Sequence, residues 1–232
     1  MEHTVRAYDA ELDTITAELA RMGGLAEAEV ADAIRAIAKL NMALAQAVIE
    51  RDTALDALEV DIEQKAIRLI ALRQPVAEDL RRIVAAIKIS TDLERCGDLA
   101  KNIAKRCLAI ADAKPAKPLT SSIERMGELV VLRLKEVLDA LASRDVERAD
   151  AVWRLDHEID EHYDAIFREL LTYMMGDPRT IASCAHLLFV AKNLERIGDH
   201  ATNIAEVLHY EITGVVLTDQ RPKSDALSVH EH

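Results

Sequence analysis

Two stretches of this chain, 101 residues apart, carry nearly the same twelve amino acids. The run from Leu93 to Ala104 recurs from Leu194 to Ala205, and nine of its twelve positions are identical. Upstream, Arg21-Met22-Gly23 recurs 104 residues later as Arg125-Met126-Gly127. Matches that keep their order indicate an internal duplication, in which each copy is one supersecondary unit. The chain is therefore predicted to fold as two similar halves whose loops differ in length.

The composition restricts each half to helices. Half of the 232 residues are hydrophobic but only 3% are aromatic, and the chain has only 7 Gly and 5 Pro. Ala, Leu, Glu, Arg and Lys dominate, and these residues favour helices over strands. We predict an all-α fold of two similar three-helix bundles, with Ser143 as the N-cap of the fifth helix. The six helices are expected near residues 5–39 (interrupted at Gly23-Gly24), 42–72, 77–112, 119–142, 146–174 and 180–212.

Segments that break the helical pattern divide the chain. Lys114-Pro115-Ala116-Lys117-Pro118 is the clearest linker, since proline rarely continues a helix. The residues after Gly214 are polar and lack a helical period, which is typical of disorder. We predict a first repeat over 1–113, a linker over 114–118, a second repeat over 119–213 and a disordered tail over 214–232.

Charge and cysteine content narrow the classes of function. A net charge of −12 disfavours binding to nucleic acid or anionic lipid. Cys96, Cys107 and Cys184 form no CxxC pair, so we interpret them as small buried hydrophobic residues in a reducing compartment. The sequence has no run of about 20 apolar residues and no apolar leader. This predicts a cytoplasmic protein that meets membranes only through its partners.

Acidic residues follow one face of the third helix, and the sixth helix repeats them. Residues spaced three or four apart share a helix face. The same face is apolar in the preceding turns, which indicates that it points into the bundle. Carboxylates therefore occupy a partly covered seam. The repeated side chains are Glu94, Asp98 and Asn102 in the first half, and Glu195, Asp199 and Asn203 in the second.

Two further acidic pairs lie upstream of these stripes. Glu59 and Glu63 in the second helix align with Asp156 and Asp160 in the fifth, 97 residues later. Four carboxylates drawn together from two helices repel one another and lose hydration. A bound cation relieves both effects, and all-oxygen ligands suit Mg, Mn, Ca or Fe. The pattern predicts a metal site in each half.

Two alternatives need no metal. Acidic pairs can form a solvated helix face, which is the usual environment of Glu and Asp. Alternatively, Arg95 and Arg196 neutralise the neighbouring carboxylates directly. The sequence leaves both alternatives open.

Other features argue against a specific catalyst. The chain lacks a glycine-rich phosphate loop, a nucleophile elbow and a Ser/His/Asp pattern. Gly97 and Gly198 are costly inside helices, and we interpret them as points of close helix packing. His157 and His200 have no counterparts in the other half, so they are predicted as surface residues. The residues thus favour a metal-binding helical protein over an enzyme.

The duplicated run resembles the motif of the PhoU family, and the resemblance spans residues 5–213. It implies two three-helix bundles and a non-enzymatic regulator that holds off the phosphate-starvation response when phosphate is plentiful. The implied partners are the ATPase subunit of a phosphate ABC transporter and a sensor histidine kinase. Long helix faces with scattered Leu and Val also favour a homodimer. The segments that carry the resemblance are Leu93-Glu94-Arg95-x-Gly97-Asp98-x-x-x-Asn102 and its copy, Arg21-Met22-Gly23-Gly24, Arg73-Gln74-Pro75 and Leu171-Thr172-Tyr173-Met174-Met175.

The resemblance also implies multinuclear metal clusters, most often of iron, with Mg, Mn or Zn as alternatives. Glu63 stands where the family typically has Asp, which favours the second cluster over the first. A carboxylate-cluster hydrolase and a metal-free helical scaffold are the competing functions. By position, the first cluster comprises Glu59, Glu63, Glu94 and Asp98, the second comprises Asp156, Asp160, Glu195 and Asp199, and Arg95, Asn102, Arg196 and Asn203 lie in supporting positions.

Overall fold

The protein consists of long helices, and a computed structural model describes residues 2–111, 115 and 117–217. The described residues form helices and turns without a strand, which confirms the predicted all-α fold. The described ranges contain six long helices, of which the second and the fifth are each broken once. The elements are α1 (Glu2–Lys39), α2 (Met42–Arg51), α3 (Thr53–Arg73), α4 (Ala77–Ala109), α5 (Lys117–Ser143), α6 (Val146–Arg154), α7 (His157–Gly176) and α8 (Ile181–Thr213), with a 3₁₀ turn at Pro178–Thr180.

The second long helix of each half breaks beside an aspartate. Asp52 separates α2 from α3 while keeping helical dihedral angles (φ −52°, ψ −33°). Asp156 precedes α7 with similar angles (φ −53°, ψ −42°). The helices that lead to these breaks begin at the N-caps Asn41 and Asp145, whose side chains each accept a backbone N–H at 3.1 Å. Breaks and caps both lie 104 residues apart, so the two halves share one backbone plan.

Two details of the predicted helices are wrong. Gly23-Gly24 does not interrupt α1, because the helix bonds continue through both residues. Ser143 is not an N-cap. It ends α5, and its hydroxyl donates to the Asp139 carbonyl at 2.7 Å. Asp145 takes the capping position instead, and its carboxylate can reach the N–H three residues ahead.

The predicted linker is partly described, and most of the predicted tail falls outside the described residues. α5 begins at Lys117, so the last two predicted linker positions are helical. Positions 112–114, 116 and 218–232 lie outside the described part of the chain. The division into two repeats, a linker and a disordered tail stays a prediction.

The two halves pack together through antiparallel helices. Near the middle of α4, Asp92 Oδ1 lies 2.8 Å from His200 Nδ1 of α8. Near one end, Arg81 Nε donates to the Glu211 carbonyl at 3.2 Å. His200, predicted as a surface residue, is therefore partly buried between the halves. The sequence around His200 does not indicate that α8 packs against α4 at this position.

α1 crosses α5 at two glycines. A Cβ placed on Gly23 would lie 2.6 Å from Leu138, and a Cβ on Gly127 would lie 2.7 Å from Ile34. The contacted residues, Ile34 and Leu138, are 104 residues apart, and so are the two glycines. The same contact is therefore made twice about an approximate twofold axis, as in a symmetric dimer interface.

Glycines also allow close helix packing within each half. A Cβ on Gly97 would overlap Leu55 Cδ1, and one on Gly198 would lie 2.6 Å from Ile159 Cδ1. Leu55 and Ile159 each lie three residues past a helix break, so glycine lets the broken helix pack onto α4 or α8. The prediction that these glycines mark close helix packing is confirmed.

The cysteines are part of the core. Cys96, Cys107 and Cys184 are buried, as predicted, and each is a free thiol. Burial raises the pKa of the Cys107 thiol to about 11, so it stays protonated. Within the described part of the chain, no helix is both long enough and apolar enough to cross a membrane.

We expect Gly127→Ala to lower the free energy of unfolding by about 1–3 kcal/mol, the usual cost of overpacking. The added methyl would meet three atoms of the branched Ile34 side chain at 2.7–2.9 Å. Gly24→Ala is the matched control, because no atom lies within 4 Å of its added methyl. Alanine is also the better helix former by about 1 kcal/mol. Urea denaturation measures both variants, and equal stability of the two would contradict the packing account.

Candidate functional site

The helix breaks determine which acidic residues are equivalent in the two halves. Asp52 and Asp156 stand at the breaks, and Asp56 and Asp160 follow four positions later. The equivalent positions are 104 residues apart. The sequence alignment used an offset of 97 residues and matched Glu59 and Glu63 to Asp156 and Asp160. The structure corrects that match. The shift equals about two helical turns. Apolar positions still match after such a shift, so the helical periodicity could not reveal that the alignment was out of register.

The first cluster lies between α1, α3 and α4 and is organised around Lys101. The Lys101 ammonium binds the Asp52 carboxylate and, at 2.9 Å, the Asp98 carboxylate. Asp52 is 2% exposed, whereas 24% of the Lys101 side chain is exposed, so water reaches the ion pair only from the lysine side. Asp98 also lies 3.5 Å from the Arg95 guanidinium. The acidic members of the first cluster are Glu29, Asp52, Asp56, Glu59, Glu94 and Asp98.

Glu94 lies on the acidic face of α4. Its pKa is raised by burial and then by the charge of Asp98, with smaller effects of Glu59 and Asp56 in the same direction. Burial and the Asp52 charge also raise the pKa of Asp56. Like charges therefore oppose ionisation in this cluster, which a cation would reverse.

Several predicted residues lie at the rim of the clusters or between the halves. Glu63 and Asn102 are exposed, and so is Arg196. Asn203 donates to Asp92 Oδ1 at 3.4 Å, across the contact between α8 and α4. The metal-ligand role predicted for Glu63 and the supporting roles predicted for Asn102, Arg196 and Asn203 stay predictions.

Glu29 is an acidic member that the sequence analysis missed. It is 2% exposed, and its Oε2 atom is buried without a hydrogen-bond partner. Burial and then the Asp52 charge raise its pKa to about 7, against the opposing charge of Arg51. Glu29 stands three residues after Ala26 and four before Ala33, both buried. A carboxylate on an apolar helix face is the signal that reveals it.

The second cluster lies between α7 and α8. Thr202 donates to the buried Asp156 at 2.7 Å, from the α8 position that corresponds to Lys101. Glu195 Oε1 accepts from the Lys192 ammonium at 2.7 Å, while Glu195 Oε2 is buried without a hydrogen-bond partner. Burial raises the pKa of Glu195, and the ion pair with Lys192 opposes this shift. The acidic members of the second cluster are Asp156, Asp160, Glu195 and Asp199.

The residues of both clusters are of the kind that a hard cation takes as ligands. Carboxylate oxygens are its preferred donors. The unpartnered buried oxygens of Glu29 and Glu195 suit a cation, because a desolvated carboxylate needs a positive neighbour. In the described residues, however, no three His, Cys, Asp or Glu side chains converge on one metal position. Lys101 and Lys192 hold the carboxylates instead, so metal binding requires these lysine contacts to rearrange.

The two halves differ in the charge of equivalent positions. The α5 counterpart of Glu29 is the buried Arg133, which binds Glu136 at 2.7 Å and Glu158 at 2.5 Å. The α8 counterpart of Lys101 is a neutral threonine. One duplicated backbone therefore carries two clusters with different charge balance.

Comparison with known protein sequences finds the same duplicated pattern. The family model of the PhoU domain matches residues 19–107 and 123–208, one match in each half. A protein of Caulobacter vibrioides, named phosphate-specific transport system accessory protein PhoU homolog, is 66% identical over 98% of this chain and 99% of its own length. A protein of the same name from Rhizobium meliloti is 53% identical over 97% of this chain and 95% of its own length.

Solved structures agree with the fold. The crystal structure of PhoU from Pseudomonas aeruginosa has a TM-score of 0.87 at 38% identity, and the match covers 90% of this chain and 100% of that one. The phosphate transport system regulatory protein PhoU from Streptococcus pneumoniae has a TM-score of 0.83 at 29% identity, covering 90% of this chain and 99% of its own. Both neighbours therefore span the two halves.

We expect Glu29→Gln to change how folding depends on pH in chelator-treated protein. The folded-state pKa of Glu29 is about 7 against 4.5 ordinarily. Its protonated form therefore stabilises the fold fully below about pH 4.5, and this contribution is lost as the pH rises through about 7. Relative to wild type, the variant should gain on the order of 1–3 kcal/mol between these limits. The facing groups Asp52, Asp56, Arg51 and Lys101 are unchanged.

Chemical denaturation from pH 4 to pH 8 measures this difference. Glu128→Gln is the matched control, because Glu128 is exposed on α5. Its stability difference from wild type is expected to stay constant. A constant difference for Glu29→Gln as well would contradict the buried, proton-binding role of this side chain.

Proposed function

The chain belongs to the PhoU family, and we propose that it restrains the phosphate-starvation (Pho) response while phosphate is plentiful. Its relatives are named accessory or regulatory proteins of phosphate transport, not enzymes. In this proposal the protein regulates phosphate uptake from the cytoplasm. It acts between the ATPase subunit of a phosphate ABC transporter and a sensor histidine kinase, and it reaches the membrane only through them.

The observation that supports this proposal is similarity to an accessory protein of phosphate transport along nearly the whole chain. The relative at 66% identity aligns with 98% of the residues. The two matched family domains include every acidic member of both clusters. Large exposed apolar side chains, such as Leu72 and Met175, support contacts with partner proteins and a homodimer.

Deletion of the gene is expected to switch on phosphate-starvation genes in phosphate-rich medium. A reporter on a phosphate-starvation promoter measures the response, and radiolabelled phosphate measures uptake. Complementation with the unmodified gene is the control. A pull-down with the tagged protein from phosphate-replete cells is expected to recover the transporter ATPase and the kinase. If both reporter and uptake stayed unchanged on deletion, the regulatory proposal would fail.

We further propose that the second cluster binds metal, with iron as the first expectation and Mg, Mn or Zn as alternatives. The family resemblance extends this to multinuclear sites in both clusters. The unpartnered Oε2 of Glu195 supports the proposal, as do the nearby charges of Asp199 and Asp160, which raise the pKa of Glu195. Such an ion would neutralise the carboxylates and fasten α7 to α8.

Glu195→Ala and Asp199→Ala are expected to lower the metal content of protein purified without chelator. Elemental analysis by mass spectrometry measures metal ions per chain. Glu128→Ala, exposed on α5, is the matched control and should keep the wild-type content. Circular dichroism verifies that each variant is folded. Equal metal content in all four proteins would favour a metal-free scaffold, while the deletion experiment tests regulation separately.

A further inference from the structure

We propose that a cavity between the two halves binds a small molecule with an apolar body and one anionic group, which Arg82 and Arg144 hold. The cavity lies between α1, α4, α5 and α8 and has a volume of about 310 Å³, which is within the range of small-molecule sites. Its described lining residues all lie outside the two acidic clusters. A ligand bound there would contact both halves and stabilise their packing.

The walls of the cavity are mostly apolar. Water gains little from contact with such walls, so an apolar ligand body that replaces it is bound favourably. Ala20 and Ala142 also line the cavity and are exposed, so the cavity opens to solvent and a ligand can enter. The larger apolar side chains and the one small core residue of the lining are Leu12, Ile15, Leu19, Leu138, Leu141 and Ala86.

Three charged side chains of the lining lie together. Arg144 Nη1 donates to Glu211 Oε1 at 2.7 Å, whereas Arg82 Nε lies 3.9 Å from the same oxygen, beyond hydrogen-bonding distance. Two guanidinium groups thus share one carboxylate oxygen, and the N–H groups of Arg82 can turn to a second anion. A guanidinium binds a carboxylate or phosphate group through paired N–H donors.

The other charged groups near the cavity restrict the ligand to one negative charge. Asp139 lines the cavity and accepts from Arg148 at 2.8 Å. Glu78 is exposed and lies 3.4 Å from Arg144. Glu27 of α1 is a further carboxylate of the lining and is partly buried. Because like charges repel at close range, a ligand with several anionic groups would be disfavoured.

The duplication does not account for the charged set. Arg144 follows α5 with a φ of 53°, as its counterpart Leu40 follows α1 with a φ of 48°, so the backbone is the same at both positions. A buried carboxylate beside arginines stabilises a fold little more than apolar packing does. The charges are therefore explained by a ligand more than by folding. The counterparts of the charged residues are uncharged, namely Leu40 for Arg144, Ile110 for Glu211 and Ser183 for Arg82.

Two fluorescent probes that differ in one group test the inference on the full chain. Anilinonaphthalenesulfonate has an apolar body and one sulfonate, and phenylnaphthylamine has the same body without the charge. In Arg82→Gln, the sulfonate should bind on the order of tenfold more weakly, the scale of one hydrogen bond to a charged group. Glu211→Gln removes the competing carboxylate and should tighten sulfonate binding by a similar factor. Neither variant should change binding of the neutral probe.

Two further variants complete the titrations. Ala86→Leu fills part of the cavity and should weaken both probes, because Ala86 lines it. Arg168→Gln is the matched control for charge, since Arg168 is exposed on α7, and it should bind both probes as wild type does. Circular dichroism and thermal melting verify that each variant is folded.

Several results would overturn the inference. These are failure of wild type to bind the sulfonate probe, unchanged sulfonate binding in both Arg82→Gln and Glu211→Gln, or unchanged binding of both probes in Ala86→Leu. Weakening in Arg168→Gln equal to that in Arg82→Gln would show a general charge effect and would overturn it as well.

An apolar body with one anionic group describes both a free molecule and a membrane lipid. The net charge of −12 disfavours an anionic membrane surface, so the inference is of a free ligand. Octanoate in solution is expected to displace the sulfonate probe, while the protein stays in the supernatant when phosphatidylglycerol vesicles are sedimented. Sedimentation of wild type, but not of Arg82→Gln, with the vesicles would overturn the assignment to a free ligand.

Discussion

Burial of one aspartate at the break of a long helix is the constraint on which each half of the protein depends. Asp52 and Asp156 are 2% and 6% exposed. A carboxylate removed from water is costly unless it gains a partner. Each aspartate draws that partner from the helix that carries the duplicated motif, Lys101 of α4 in one half and Thr202 of α8 in the other. The motif glycine lets the broken helix come close enough for this contact.

The same motif helices also join the halves. α4 and α8 meet in antiparallel contact near Asp92 and His200, a few residues from Glu94 and Asp199. Each motif helix therefore closes its own acidic cluster on one side and packs against the other half on another. This arrangement explains why the duplication remains visible in sequence, since one helix serves the core, the cluster and the contact between halves.

The features of the fold that follow from helical periodicity and from the duplication could be predicted from the sequence. The helices, the two halves and the packing role of Gly97 and Gly198 follow from spacing and from the cost of glycine in helices. The register of α3 against α7 did not follow, because a shift of about two turns preserves the apolar pattern. Glu29 was missed because its counterpart is Arg133, so the repeat carried no signal there. The partners of buried charges depend on tertiary contacts that no local pattern contains.

Removal of the buried aspartate at each helix break tests whether that side chain fastens its half of the protein. Urea denaturation of Asp52→Ala and Asp156→Ala is compared with that of wild type and of Glu128→Ala, a variant at an exposed position of α5. Both aspartate variants are expected to unfold at a lower urea concentration, because Lys101 and Thr202 lose the carboxylate that they bind. Unfolding of both variants at the wild-type concentration would contradict this role of the two aspartates.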